Sequence, residues 1–397
     1  MHNLFIKNEK QQEWLHHLAG LEEKFKSKSA EIDELSIFPK ENIEDLVKLG
    51  YTSITLPKEY GGEGLSVYDM VLLQETLASY DANTALSVGW SLGVIGDLFE
   101  KKLWTKEKLD FFSKETLNGA LINRSVSEAQ TGSPTRGGRP GTTAEKNRDT
   151  WILNGRKIFT TASPVLTYFL TSAWIAEKEK VGFFLIHRDT KGVSIEETWD
   201  VVSMRGTSSN DLVLTNVVVD GTDLVELPEL VSGGKVNGWL LHIPATYLGV
   251  AQAARDYAVH FANTHAPNRV NGTIAQLPNV QQLIGEIDLE LTKARFVIYG
   301  AAAAYDNEAS RDLLANEVSV AKHVVTNSAI TIVDKAMRLV GAKSLQRTNP
   351  LQRYYRDVRA GLHNPPMDDM TIKKLAQSAL EEDKNKSLMK HQEESKR

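Results

Sequence analysis

The 397-residue sequence contains no cysteine. A disulfide framework, a thiolate nucleophile and cysteine-ligated zinc or iron–sulfur centres are therefore excluded. The sequence also lacks a long basic run, and its formal net charge is −5, so the positive surface that nucleic-acid binding normally requires is missing. Any redox chemistry must come from a bound organic cofactor or from a metal held by histidines and carboxylates.

Long apolar runs are missing too, since no stretch offers about 20 uninterrupted apolar residues. The first residues lack the apolar core and the cleavage site of a signal peptide. These absences predict a cytoplasmic protein without a membrane partner. The chain is 41% apolar and 24% charged, which are ordinary globular values, and it exceeds the length that one hydrophobic core usually serves. We expect two or three subdomains.

The spacing of apolar residues changes twice along the chain. Steps of three and four predict a helical N-terminal domain over residues 1–120. A period of two, in β-branched and aromatic runs, predicts a central antiparallel, barrel-like β domain over 121–226. The helical period returns as a C-terminal bundle over 227–380, and the polar tail 381–397 is predicted to be frayed or disordered. The fold class is multidomain α+β, because strands and helices are segregated.

Two local signals refine this plan. Ser66 and Asp69 resemble a capping box at the start of a helix. Asn154-Gly155 is typical of a hairpin turn, because a tight primed turn needs positive φ at both central residues.

Common catalytic and nucleotide motifs are absent. The sequence has no Gly-x-Gly-x-x-Gly opening a βαβ unit, no phosphate loop and no His-Glu-x-x-His. His260 and His265 are five residues apart and so do not share a helical face. We therefore predict no metal site.

Three segments contain residues that could bind a cofactor or take part in catalysis. The loop 125–134 offers hydroxyl and backbone N–H donors to a cofactor, although such residues also fill plain turns. The strand end 157–163 combines an aromatic that can cover a planar ring with hydroxyls that can bond its edge, or is an ordinary strand end. The segment 356–369 ends one helix and begins another, and Asp368 and Asp369 suit simple capping there.

Taken together and in this order, these strings resemble the acyl-CoA dehydrogenase superfamily of flavoproteins over nearly the whole chain. Segment 56–62 is similar to its Pro-Glu-x-Tyr-Gly-Gly turn, and segment 127–133 to its Thr-Glu-Pro-x-x-Gly-Ser loop. Segment 205–211 resembles the loop before its last β strands, and Arg356-Asp357 the pair ahead of its active-site loop. The resemblance implies a C-terminal four-helix bundle, a homotetramer, bound FAD with FMN as the alternative, and an electron-transfer partner or flavin reductase.

The resemblance also implies flavin contacts within one subunit. Ser127 stands where a threonine bonds the flavin edge, and Ser133, after Gly132, where a serine lies near the pyrophosphate or the thioester chain. Phe159 replaces the tryptophan that packs against the isoalloxazine, and Thr161 matches the threonine near flavin N5.

Other flavin contacts are implied to come from a neighbouring subunit. Arg269 resembles an arginine that contacts the FAD diphosphate, and Gln281 matches the glutamine that follows it. Arg338 and Gly341 occupy the Gln-x-x-Gly-Gly region, where the arginine is a departure from the family pattern.

The active-site loop departs from most members, which carry a catalytic glutamate there. The matching positions are Pro365 or Met367, and neither can take a proton. Asp368 is the nearest carboxylate and the candidate base. Residues 362–365 instead resemble the Leu-His-Asp-Pro of the flavin monooxygenase branch, where the histidine, His363 here, lies near flavin C4a. A loop histidine bonded to backbone is the alternative for His363.

Three functions follow from this resemblance. The first, which we favour, is flavin-dependent oxidation of the CH–CH bond of a small acyl thioester such as an acyl-CoA, or of a related substrate. The second is oxygenation of a small organic substrate by reduced flavin and oxygen. The third is a scaffold that binds flavin or CoA without turnover, which the missing glutamate favours.

Overall fold

The computed structural model describes residues 2–131, 138–228, 236–268, 271–311, 313–314 and 316–394. The helices are α1 Glu9–Ala19, α2 Glu22–Leu35, α3 Lys40–Lys48, α4 Val67–Tyr80, α5 Ala82–Lys101, α6 Lys106–Leu117, α7 His242–Thr264, α8 Pro278–Asp306, α9 Glu308–Arg311, α10 Glu317–Val340, α11 Pro350–Asp357 and α12 Asp368–Glu394. The strands are β1 Ile122–Ser125, β2 Thr143–Asn147, β3 Thr150–Lys157, β4 Tyr168–Ile175, β5 Lys180–His187, β6 Val193–Glu196, β7 Asp211–Asp220 and β8 Leu224–Glu226.

The N-terminal helices surround α4 and α5, which are buried on nearly all sides. The Ser66 hydroxyl accepts the Asp69 N–H, and the Asp69 carboxylate accepts the Ser66 N–H at 3.0 Å, so the predicted capping box is confirmed. Asp306, at the end of α8, accepts the N–H groups of Val67 and Tyr68 at 3.0 Å each. The start of α4 is thus capped by both the N-terminal and the C-terminal domain.

The β domain is one eight-stranded sheet in the described part of the chain, in the order β6-β7-β3-β2-β4-β5-β8, with β1 paired to β4. Most pairings are antiparallel, whereas β4 runs parallel to both β1 and β2. The sheet therefore mixes the two kinds of pairing around β4.

The predicted hairpin turn at Asn154-Gly155 is wrong. Both residues lie inside β3, where the register with β7 shifts between Leu153 and Gly155. The chain turns earlier, between β2 and β3, at a residue with positive φ, Arg148. The β3–β7 pairing extends over almost all of β3, and this long ladder accommodates the Asn-Gly pair as a bulge rather than as a turn.

The C-terminal helices α7, α8 and α10 pack against one another, and α7 and α8 also pack against α4. Close packing of α7 on α4 depends on Gly249, where an added Cβ would stand 2.3 Å from the Glu75 carbonyl oxygen. The helical bundle and the N-terminal domain therefore share one hydrophobic core.

The polar segment that we predict to be frayed or disordered is helical as far as Glu394, because α12 continues through it. Lys386 and Glu382 form an i,i+4 ion pair at 2.5 Å on this helix. Such pairs and good helix formers let a polar segment continue a helix that the bundle has started. Among the described residues, no helix combines the length and the apolar character that crossing a membrane requires.

Candidate functional site

An exposed aromatic ring stands just beyond the end of β3. Phe159 is 60% exposed, and its ring meets the half-buried Trp199 edge-on at a centroid distance of 6.0 Å. Its φ of 59° lies in the left-handed region, which is rare for a bulky residue. The backbone therefore directs a large apolar ring outward from the β domain.

Thr161, two residues further along the chain, is almost wholly buried, and its N–H donates to the Phe159 carbonyl oxygen at 3.0 Å. Its Oγ1 lies 2.9 Å from Ser209 Oγ, which lies 2.9 Å from Thr207 Oγ1. The Thr161 carbonyl oxygen accepts the Asn123 side-chain amide at 3.2 Å. The two hydroxyl-bearing segments predicted from sequence, 157–163 and 205–211, thus meet at one place, which we call the ring corner (residues 159–162 and 204–209).

Backbone strain is concentrated at the ring corner. Four non-glycine residues of the ring corner have positive φ: Phe159 at 59°, Ala162 at 62°, Met204 at 52° and Ser208 at 40°. Strained residues of this kind persist where the surrounding structure holds them, and they cluster at ligand sites. The strain makes the ring corner a candidate functional site independently of any sequence motif.

The loop that bears Ser127 is fixed to the same strand end. The Ser127 carbonyl oxygen accepts the Ile158 N–H at 2.8 Å. The next residue, Glu128, is buried and accepts hydrogen bonds from Lys157 at 2.6 Å and from the Thr142 hydroxyl at 2.7 Å. Burial alone would raise the pKa of Glu128, but these hydrogen bonds lower it to about 2.

The Glu128–Lys157 pair has no counterpart among our sequence predictions. The two residues are 29 positions apart, and only the juxtaposition of the loop with β3 shows their pairing. Gly132 and Ser133, predicted in the same loop, lie outside the described residues.

The residues assigned to a neighbouring subunit's flavin lie at one end of the helical bundle. Gln281, on the first turn of α8, is exposed and donates to the Ala275 carbonyl oxygen at 3.0 Å. Arg338, near the end of α10, is exposed and pairs with Asp334 at 2.7 Å. Gly341 follows α10 with a φ of 71° and open space around the position of a Cβ. Arg269 lies outside the described residues.

Arg356 and Asp357 join all three domains. Arg356 donates to both carboxylate oxygens of Asp33, at 2.9 and 2.5 Å, and to the Val202 carbonyl oxygen at 2.8 Å. Asp357 accepts the Met204 N–H at 2.6 Å. The C-terminal domain thereby holds the N-terminal domain and one edge of the ring corner in a single junction.

This junction predicts a pH-dependent stability. Burial raises the pKa of Asp357 to about 7, although the Met204 N–H opposes the rise. The folded protein then binds more protons than the unfolded chain between about pH 4 and pH 7, so stability falls as pH rises through that window. Asp357→Asn keeps an acceptor for Met204 but cannot ionise, so we expect its melting temperature at pH 8 to exceed that of the wild type by about 2–4 °C.

Thermal melts between pH 4 and pH 8 check this prediction. Asp334→Asn, which removes an exposed carboxylate, is the matched control and should follow the wild-type profile. Parallel profiles for Asp357→Asn and wild type would show that the buried carboxyl does not titrate in this range.

The loop 362–368, which the family resemblance assigns to the active site, is held at its middle and at its end. Asn364 Oδ1 accepts the hydroxyl of the buried Tyr247, on α7, at 2.5 Å. Asp368 accepts the Asn327 amide at 2.9 Å and lies 3.2 Å from His323 Nδ1 and 3.5 Å from Lys322 Nζ.

Asp368 and His363 therefore have different surroundings. His363 is exposed, and its backbone N–H donates to the Ala360 carbonyl oxygen at 2.9 Å. Partial burial would raise the pKa of Asp368, but the Asn327 amide and the nearby Lys322 lower it below its ordinary value. The Asp368 carboxylate is anchored to α10 and ionised at neutral pH.

The ring corner fits a flavin. Phe159 supplies an exposed apolar face, while Thr160, which is fully buried, has a hydroxyl without a hydrogen-bond partner among the described residues. An apolar plane flanked by hydroxyl donors matches a planar heteroaromatic ring with polar edges. Among the residues described, no group of three or more histidines and carboxylates is placed to hold a metal ion.

Comparisons with known proteins agree over almost the whole chain. Sequence models of the N-terminal, middle and C-terminal domains of acyl-CoA dehydrogenases match residues 8–101, 124–217 and 241–362. A putative acyl-CoA dehydrogenase, YdbM of Bacillus subtilis, is 57% identical over 379 residues, which are 96% of this chain and 100% of that protein.

Two further similarities extend the comparison. L-evernosamine nitrososynthase of a Micromonospora species is 28% identical over 87% of this chain and 84% of its own. The structure of butyryl-CoA dehydrogenase from Megasphaera elsdenii superposes with a TM-score of 0.84 over 94% of this chain and 99% of its own, at 21% identity, which supports the fold.

Proposed function

The chain belongs to the acyl-CoA dehydrogenase family, and on that premise we propose that it uses a bound flavin to oxidise the CH–CH bond of a small acyl thioester or a related substrate. The family consists of flavin-dependent oxidoreductases. The ring corner carries the proposal, because an outward-facing aromatic, buried hydroxyls and four strained residues meet there.

In this proposal Phe159 covers one face of the flavin, while Thr161 and Ser127 bond its edge. A bound flavin accepts a hydride. Phe159 excludes water from the face that it covers, and the Ser209 hydroxyl orients that of Thr161 at 2.9 Å. We assign FAD, with FMN as the alternative.

Removal of the α-proton requires a base, and Asp368 is the proposed one. Its carboxylate is ionised and held by α10, so it accepts a proton without first losing one. Its lowered pKa makes it a weak base. Binding must therefore lower the pKa of the substrate's α-carbon before Asp368 can take the proton.

Flavin-dependent oxygenation is the second candidate function. Two observations favour it: His363 is exposed in the active-site loop, and the chain is 28% identical to a nitrososynthase. In this alternative His363 moves a proton beside the flavin, no carboxylate base is needed, and a flavin reductase replaces the electron-transfer partner.

Anaerobic spectroscopy separates the two. Mixing the flavin-loaded protein with acyl-CoAs of graded chain length should bleach the flavin absorbance, and bleaching by none of them would contradict the dehydrogenase. Product formed from a small organic substrate with reduced flavin and oxygen, and lost in His363→Ala, would establish the oxygenase. Flavin binding with neither reaction would leave a non-catalytic scaffold.

The flavin contact itself is tested with Phe159→Ala. Removing the ring takes away apolar burial of about 1.5–3 kcal/mol, so we expect the flavin dissociation constant to rise about 10- to 100-fold. Because Phe159 is 60% exposed, the free energy of unfolding should change by no more than about 0.5 kcal/mol. Titration by flavin fluorescence measures the affinity. Phe111→Ala, at a 43% exposed ring on α6, is the control that should bind flavin normally.

Assembly and location belong to the same proposal. We propose a homotetramer in the cytoplasm, with Gln281, Arg338, Gly341 and Arg269 of one subunit contacting the flavin of its neighbour, and an electron-transfer protein as redox partner. The exposure of Gln281 and Arg338 supports this arrangement. Light scattering of the purified protein gives the oligomeric state, and a monomer that binds flavin tightly would contradict the shared site.

A further inference from the structure

An ion pair inside the β domain joins the two segments that carry the proposed flavin contacts. Lys157 Nζ donates to Glu128 Oε1 at 2.6 Å, and the two side chains are 0% and 7% exposed. Glu128 directly follows Ser127 in the chain, and Lys157 comes two residues before Phe159. The pair therefore connects the segment that bonds the flavin edge to the strand end that covers its face.

The Glu128 carboxylate accepts four hydrogen bonds besides the one from Lys157. Its Oε1 also accepts the Thr142 hydroxyl at 2.7 Å and the Thr142 N–H at 3.1 Å. Its Oε2 accepts the Gly141 N–H at 2.6 Å and the Thr131 hydroxyl at 2.9 Å. Because the five donors come from three separate stretches of chain, they fix both the place and the orientation of the carboxylate.

A backbone hydrogen bond joins the same two segments a second time. The Ser127 carbonyl oxygen accepts the Ile158 N–H at 2.8 Å. Lys157 extends the connection to β4, since its Nζ also donates to Ser172 Oγ at 3.2 Å. Ser127 cannot shift relative to the end of β3 without breaking this backbone bond or distorting a buried ion pair.

Stability alone does not account for an ion pair at this depth. Removing two charges from water costs free energy, and replacing a buried pair by uncharged side chains of similar volume is often neutral or stabilising. What the charged pair adds is a set of short, directional hydrogen bonds that hold one geometry. Here that geometry belongs to the two segments that meet at the strand end beside the ring corner.

We propose that Glu128 and Lys157 are positioning residues for the flavin. Their ion pair sets the separation between the edge donor, Ser127, and the covering ring, Phe159. The inference rests on the proposed function, in which Ser127 and Phe159 contact the flavin, and it deepens that function by assigning what holds them in place. Glu128 and Lys157 act through these two residues and not by touching the flavin.

The double variant Glu128→Gln with Lys157→Met separates positioning from stability. It removes both charges and keeps an amide oxygen as an acceptor for Thr142, so its melting temperature without flavin should stay within about 4 °C of the wild type. The flavin dissociation constant should rise about tenfold, because a binding site loses affinity when its contacts are no longer held in place. Flavin fluorescence gives the affinity. The absorbance band of the bound flavin should move toward that of free flavin, since Phe159 covers the ring less closely.

A second buried ion pair provides the matched control. Glu75→Gln with Arg295→Met neutralises a pair of similar burial that joins α4 to α8, and it should leave the flavin affinity and absorbance unchanged. Thr142→Val is a milder variant at the site itself, because it removes one hydroxyl donor from Glu128 and leaves both charges in place. It should raise the flavin dissociation constant about threefold.

The outcomes distinguish the positioning from the function. Wild-type flavin affinity and absorbance in the Glu128 and Lys157 double variant would overturn the positioning and leave the proposed function intact. An equal loss of affinity in the control double variant would also overturn it, because the effect would then follow from loss of stability. If the site variant does not fold, wild-type affinity and absorbance in Thr142→Val would overturn the positioning. A wild-type protein that binds no flavin would overturn the proposed function and the positioning together.

Discussion

Arg295→Ala is expected to lower the free energy of unfolding by about 3–5 kcal/mol, because it leaves a buried carboxylate without its cation. Arg295 on α8 is 2% exposed and donates to Glu75 Oε1 on α4 at 2.8 and 2.6 Å. The Tyr299 hydroxyl donates to the other Glu75 oxygen at 2.6 Å. Gln252 on α7 accepts from Arg295 at 2.7 Å, so three helices from two domains share this network.

Denaturant titration followed by circular dichroism measures this effect. The double variant Arg295→Met with Glu75→Gln should recover a large part of the loss, because no charge then remains buried without a partner. Arg338→Ala, which breaks an exposed pair with Asp334, should cost no more than about 0.5 kcal/mol. An Arg295→Ala variant as stable as Arg338→Ala would show that the buried pair does not hold the two domains together.

Asp368→Asn is expected to slow anaerobic flavin reduction by an accepted acyl-CoA about 10²- to 10⁴-fold, the usual contribution of a general base. The variant can keep the hydrogen bond with the Asn327 side chain, so the loop should stay in place. The flavin dissociation constant and the circular dichroism spectrum should stay at their wild-type values, which a loss of structure would not allow. Stopped-flow absorbance at the flavin band gives the rates.

Asp369→Asn is the matched control, since it removes a neighbouring carboxylate from the same helical turn and should leave the rate unchanged. Undiminished reduction in Asp368→Asn would remove Asp368 from the mechanism. That result would favour the oxygenase alternative, in which His363 moves the proton.

The architecture was predictable from sequence because hydrophobic spacing is a local property. The period of apolar residues distinguishes helical from β segments, and Ser66 with Asp69 marks the start of α4 without reference to the rest of the chain. The Asn154-Gly155 signal failed because it is equally local. A long ladder between β3 and β7 determined what that pair became.

The candidate site was predictable in part. Residues 157–163 were identified from their aromatic and hydroxyl content and residues 205–211 from the family resemblance, and the two segments meet at the ring corner. Ion pairs between residues far apart in the sequence could not be predicted from local composition. Arg295 and Glu75 are 220 positions apart, and nothing in the composition around either residue indicates the other.

The junction of Arg356 and Asp357 with Asp33 and Met204 has a consequence for how such proteins diversify. Arg356 and Asp357 contact both of the other domains, so a homologous module that replaces any of the three must carry its share of this contact. Side chains elsewhere in the interior can then vary, and with them the substrate preference, while this contact between the domains stays the same.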